Sequence, residues 1–143
     1  MAIAVKRVYR TPAKTDGTRV LVDRLWPRGL SKESAAIRQW FRDLAPSNEL
    51  RQWFHAHRES WGVFRRRYMK ELSSPEAAKA LEELHQLAEA GKVTLLYASK
   101  DEIHNNAVAL KELLEGARKP PTGTGPAAAG AMRARRAMRV SSR

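Results

Sequence analysis

The six-residue run Val93-Thr94-Leu95-Leu96-Tyr97-Ala98 constrains the fold more than any other stretch of the chain. It carries no charge and no alternation of polar with apolar residues, so both of its faces must be covered by protein. That is the pattern of a central strand. Val20-Leu21-Val22 is likewise continuous and β-branched, and Ile3, Val5 and Val8 mark a short first strand.

Helical patterns separate these runs. Ser74-Pro75 supplies an N-cap and a first-turn proline, Ala77, Leu81, Leu84 and Ala88 recur on one helical face, and Gly91 follows as a stop. Pro46-Ser47 precedes Leu50, Trp53, Phe54 and His57 at helical spacing. Trp61, Phe64, Tyr68 and Leu72 form another stripe, with Arg65, Arg66, Arg67 and Lys70 largely outside it. Ser99 and Glu102 have capping-box spacing, and Ile103, Ala107, Leu110 and Leu114 carry a helix from there to Gly116. Ile37, Trp40, Phe41 and Leu44 have helical spacing within a β-rich composition, which leaves helix and strand both open. Strands interspersed with helices predict one α/β domain over residues 1–118. From residue 119 the composition changes to a Pro/Gly linker and a basic Ala/Arg-rich tail, which predicts disorder over 119–143.

Composition narrows the chemistry. The 143 residues include no cysteine, which excludes disulfides, thiolate nucleophiles, zinc ribbons and iron–sulfur ligation. The N-terminal MAIAVKRVYR has no apolar run of signal-peptide or membrane-span length, so a cytoplasmic protein with no membrane partner is expected. The formal net charge of +12 is concentrated in residues 1–72, where 16 Lys or Arg face 7 Asp or Glu. Such a balance favours anionic partners, and it also serves simply to keep helix faces soluble.

In α/β sheets, ligands gather beyond the carboxyl ends of the strands. Two polar turns occupy such positions. Asp23, Arg24, Trp26, Arg28 and Gly29 follow the second strand, and Tyr97, Ser99, Lys100, His104 and Asn105 close or follow the later one. If the two strands are parallel neighbours, both turns face one cleft. Arg28 offers a planar fork and Lys100 a point charge to a phosphate or carboxylate. Free amides at a helix start near Asp101 and Glu102 would add oriented donors. Trp26 offers a flat apolar wall, and Gly29 permits a positive φ. For proton transfer, His104 is the candidate shuttle and Asp23 the carboxylate to orient it or share the work. Each residue also has a structural reading. Asp23 and Arg24 can neutralise each other, Arg28 can brace its loop, Trp26 and Tyr97 can be core, Asn105 can bond local backbone, and His104 can be a solvated or capping residue.

No Gly-rich phosphate loop, Gly-x-Ser-x-Gly elbow or His-Glu-x-x-His motif occurs. On a helix, His55 and His57 point apart and cannot chelate together. No metal or cofactor is therefore expected.

The segments VLVDRLWPRG at residues 20–29, LAPS at 44–47, TLLYASKDE at 94–102 and HNNA at 104–107 resemble the domain of unknown function 488 family. More narrowly, they are similar to its small bacterial YeaO-like branch, over roughly residues 3–116. The resemblance implies a compact three-layer α/β/α fold with a small, mainly parallel sheet, and no assigned reaction. Longer relatives in that family carry a cysteine where Tyr97 stands and another near Asn105, so any thiol chemistry of theirs does not transfer here. Two functional expectations follow. One is a small anionic ligand, bound or acted on in the cleft; the alternative is a nucleic-acid-binding module using the Arg-rich helix face and the basic tail.

Overall fold

In the computed structural model, which describes residues 2–118, four parallel strands run in the order β1-β4-β2-β3. They are β1 (Ile3–Arg7), β2 (Thr18–Leu21), β3 (Gln39–Trp40) and β4 (Val93–Tyr97). The last strand in sequence thus lies between the first two. β4 is buried at all five positions, as its unbroken apolar pattern requires. Each fully buried Val or Leu contributes roughly 1.5–3 kcal/mol of apolar transfer. One face of the sheet carries a cluster of Val8, Leu21, Ala35, Ile37 and Leu96, with Trp26, Leu30, Trp40 and Ala98 packed on it.

The helices are α1 (Lys32–Ala35), α2 (Asn48–Ala56), α3 (Trp61–Glu71), α4 (Pro75–Ala90) and α5 (Asn106–Arg118). Contacts group residues Met1–Leu113 into one unit and Leu114 onward into a second. The tail expected to be disordered lies outside the described residues. Ser74 caps α4 by accepting from the Ala77 N–H at 3.2 Å, with Pro75 in the first turn. Ser47 caps α2 through the Leu50 N–H at 3.1 Å. Its own N–H and hydroxyl both donate to Glu71, at 2.8 and 2.6 Å, which ties α2 to the end of α3. The Tyr68 phenol, fully buried, donates to the Leu44 carbonyl.

Two segments depart from their sequence periodicity. Residues 37–44 form β3 and a single 3-10 turn rather than a helix. Arg38 and Phe41 N–H groups donate to the Arg19 and Leu21 carbonyls at 2.8 Å, and pairing with β2 outweighs the helical spacing. The final helix begins at Asn106, not near Asp101. Asp101 Oδ1 accepts from the Ile103 and His104 N–H groups at 2.9 and 3.0 Å and closes a local turn. Ile103 therefore leaves the expected helical face and is 72% exposed. Glu102 pairs with Arg10 at 2.9 Å instead of completing a capping box.

At the amino-terminal edge of the sheet, Asp16 sits in a closed ionic network. It accepts from Arg19 Nη1 at 2.7 Å, Lys6 Nζ at 3.0 Å and the Ala13 N–H at 3.0 Å. Arg19 is 3% exposed and also donates Nε to the Ala35 carbonyl at 2.9 Å. Burial alone would raise the Asp16 pKa, but the donors from Ala13, Lys6 and Arg19 outweigh it and hold the carboxyl down to about 2. Gly17 beside it has φ +66°, and a Cβ there would stand 2.3 Å from the Lys92 carbonyl oxygen.

Candidate functional site

The opposite edge of the sheet carries the cleft. β2 and β4 are parallel neighbours in the register Val20↔Leu95 and Leu21↔Leu96, so their carboxyl ends emerge side by side. The two polar turns converge there around a cleft of about 750 Å³. This lies within the range of small-molecule sites.

Asp23 pins the two strand ends together. Its carboxylate accepts from the Ala98 N–H at 2.8 Å and from Asn106 Nδ2 at 3.1 Å, while Asn106 also donates to the Val22 carbonyl at 2.9 Å. Burial raises the Asp23 pKa above its ordinary value, against the lowering effect of those two donors and of nearby Arg51. Among the described residues Asp23 bonds neither His104 nor Arg24. Asp23 therefore does not orient His104 by a direct bond, although both line the cleft, and Arg24 turns its Nε to the Pro46 carbonyl at 3.2 Å rather than to Asp23.

Trp26 combines both readings open to it. It packs on the core cluster, meets Trp40 edge-on at 5.3 Å, and donates its indole N–H to Leu30 at 2.7 Å while lining the cleft. Gly29 adopts φ +82° and turns the loop, but it does not line the cleft. Arg28 does not brace the loop with its side chain; its carbonyl accepts from the Tyr9 phenol at 3.0 Å. The exposed Arg28 guanidinium and Lys100 ammonium have no partner among the described residues, and both line the cleft.

On the β4 side, Tyr97 is 2% exposed and belongs to the core, with its pKa raised chiefly by burial. Ser99 accepts from the Asp101 N–H at 3.1 Å, and Arg7 Nε donates to the Ser99 carbonyl at 3.1 Å. Asn105 is buried and local: Oδ1 accepts from the Val108 N–H at 3.0 Å, capping α5, and Nδ2 donates to the Asp101 carbonyl at 2.9 Å. Of the amides expected near Asp101, those of Asp101, Ile103 and His104 are taken up within the turn. Asp101 is held at about 2, first by the His104 N–H, with the Ile103 N–H and the Arg58 guanidinium adding to this against burial. His104 is half-buried and stacks on Trp61 at 4.7 Å.

Other contributors come from α2 and the turn after it. Arg51 and His55 project one helical turn apart into the cleft, and Arg58 joins them while pairing with Asp101. The signal of Arg51 and His55 in the sequence is a polar i, i+4 row beside Leu50 and Phe54. Five cationic side chains (Arg24, Arg28, Arg51, Arg58 and Lys100) line the cleft against two carboxylates, Asp23 and Asp101. Leu25, Pro27, Pro46, Phe54 and Phe64 supply apolar wall. His57 turns away from this wall and stacks on Trp53 at 4.6 Å. No group of three or more His, Asp or Glu among the described residues is placed to hold a metal ion, and no described helix is long and apolar enough to cross a membrane.

The model for the inactive DUF488-N3 subclade matches residues 2–129. The uncharacterised protein YeaO of Escherichia coli (strain K12) is 40% identical over 114 residues, covering 80% of this chain and 97% of its own. The uncharacterised protein Rv3073c of Mycobacterium tuberculosis (strain ATCC 25618 / H37Rv) is 40% identical over 114 residues, covering 80% and 94% respectively. No solved structure matches. With its four parallel strands and converging strand-end turns, the chain belongs to the domain of unknown function 488 family, in the subclade described as inactive DUF488-N3.

Proposed function

We propose that this protein binds a small organic anion, bearing a phosphate or carboxylate, in the cleft beyond β2 and β4. One observation carries the reading: five cations surround the cleft, and both carboxylates in its wall are already engaged. Arg28 and Lys100 are the ligand-holding pair, because neither is used by the fold. The apolar wall would take the body of the ligand. The subclade's description as inactive, together with the lack of a bond between Asp23 and His104, favours recognition without turnover. We place the protein in the cytoplasm, in keeping with its cysteine-free sequence.

A thermal-shift screen of phosphates, nucleotides and carboxylates tests the reading. Arg28→Ala and Lys100→Ala should leave the unliganded melting temperature unchanged and abolish the stabilisation by any hit. A full ligand response in both variants would remove them from the site.

A second reading rests on α3. Arg66, Arg67 and Lys70 are exposed and have no acidic partner among the described residues, and the Arg67 guanidinium lies 4.3 Å from the Trp53 ring centre. Nucleic acid bound on this face would lose affinity steeply with salt, and Arg66→Ala with Arg67→Ala would flatten that dependence. Salt-independent binding would rule the face out.

A further inference from the structure

We propose that His104 is a stacking platform for a planar ring, so that the anion in the cleft is ring-bearing: a heteroaromatic group carrying a phosphate or carboxylate. The inference rests on the cleft reading above and specifies its ligand class.

The observation is a cluster of rings, in which Phe54, Phe64 and Trp61 all meet one another and Trp61 alone meets His104. Phe54 stacks on Phe64 at 4.4 Å with planes 27° apart, Phe64 on Trp61 at 5.6 Å and 17°, and Trp61 on His104 at 4.7 Å and 22°. The cluster joins α2, α3 and the turn before α5, and Phe54, Phe64 and His104 line the cleft. Trp61 is the single ring partner of His104 among the described residues, and neither imidazole nitrogen bonds a described residue. An imidazole that moves protons is oriented by a hydrogen bond to one nitrogen. This one is oriented by ring contact and by its backbone N–H, which donates to Asp101. Such an arrangement fixes the plane of the ring, and no other described ring stacks on it. A ligand ring laid on His104 would extend the Trp61–His104 stack, as bases do on aromatic side chains. Its anionic group would then be met by the free cations of the cleft rim, Arg28 and Lys100.

Calorimetric titration with adenosine monophosphate, ribose 5-phosphate and inorganic phosphate tests this on the full chain. The monophosphate should bind roughly 5- to 150-fold more tightly than ribose 5-phosphate, the range that one stacked base contributes. His104→Phe should retain that preference within about threefold, and His104→Ala should abolish it. Ribose 5-phosphate affinity should be the same in all three proteins, which reports an intact cleft in each variant. Equal affinities of the wild type for the two sugar phosphates would overturn the stacking role while leaving the anion site standing. So would a loss of preference in His104→Phe as large as in His104→Ala, which would assign the histidine a hydrogen-bonding or proton-transfer role. Absence of binding by all three probes would overturn this inference and the cleft reading together.

Discussion

Replacing Asp16 by Asn removes one charge from a network in which the partners differ in their freedom to respond. Lys6 is partly exposed and can turn its ammonium to water. Arg19 cannot: its side chain is 3% exposed, its Nη2 already has no partner among the described residues, and an amide oxygen in place of the carboxylate can accept its hydrogen bond but not neutralise its charge. The carboxyl pKa falls from 3.8 to about 2 on folding. At about 1.4 kcal/mol per pKa unit, this corresponds to roughly 2.5 kcal/mol of stability at neutral pH. A stranded buried guanidinium adds to the loss, since breaking such pairs costs about 3–5 kcal/mol. A penalty of about 3–5 kcal/mol at pH 7 is therefore expected from urea denaturation followed by circular dichroism. The sign of the pH dependence follows from the depressed pKa. The contribution is complete above the unfolded value and disappears as the pH drops through the folded one, so the two proteins should converge towards about pH 2. Adding Arg19→Met to the variant should recover part of the stability, because no charge is then left buried. A penalty under about 1 kcal/mol at pH 7, or one that does not shrink between about pH 5 and 2, would refute the reasoning.

Two further outcomes are expected. Gly17→Ala should cost at least about 2 kcal/mol by chemical denaturation, since φ +66° and a Cβ 2.3 Å from the Lys92 oxygen both oppose it. Gly91→Ala, with extended backbone and open space, should change stability by less than about 1 kcal/mol and so serves as the control. Carbon-detected NMR titration should separate three aspartates, with Asp16 and Asp101 titrating near 2 and Asp23 above 3.8. Ionisation of Asp23 then weakens the fold as pH rises through its pKa, the opposite sign to Asp16; an Asp23 midpoint below 3.8 would contradict its buried position.

The strands were legible because burial on both faces leaves an unmistakable run of apolar residues, as at Val93–Tyr97 and Val20–Val22. Helices with a Ser cap and a one-sided apolar stripe, α2 and α4, were equally readable. Periodicity failed where side chains compete with the backbone or strands compete with helices. Asp101 captures two N–H groups and delays α5 to Asn106, and β2 recruits Gln39–Trp40 as an edge strand. The convergence of the two turns followed from strand-end logic, but their internal wiring did not. That Asp23 would bond Ala98 and Asn106 rather than His104 depends on register between distant segments, which local patterns do not encode. The α2 residues of the cleft were hidden because a polar i, i+4 row reads equally well as solvated surface.

Placing the final strand second in the sheet has a consequence for how the chain comes to be folded. Until residues 93–97 exist, β1 has no neighbour at all and β2 has its short partner on one side alone. A ribosome-bound or truncated chain ending before Val93 would carry unsatisfied edges on β1 and β2, about ninety and about seventy-five residues ahead of the segment that joins them. The sheet cannot be completed before this late insertion, and a nascent chain stalled at that length leaves those edges open to self-association.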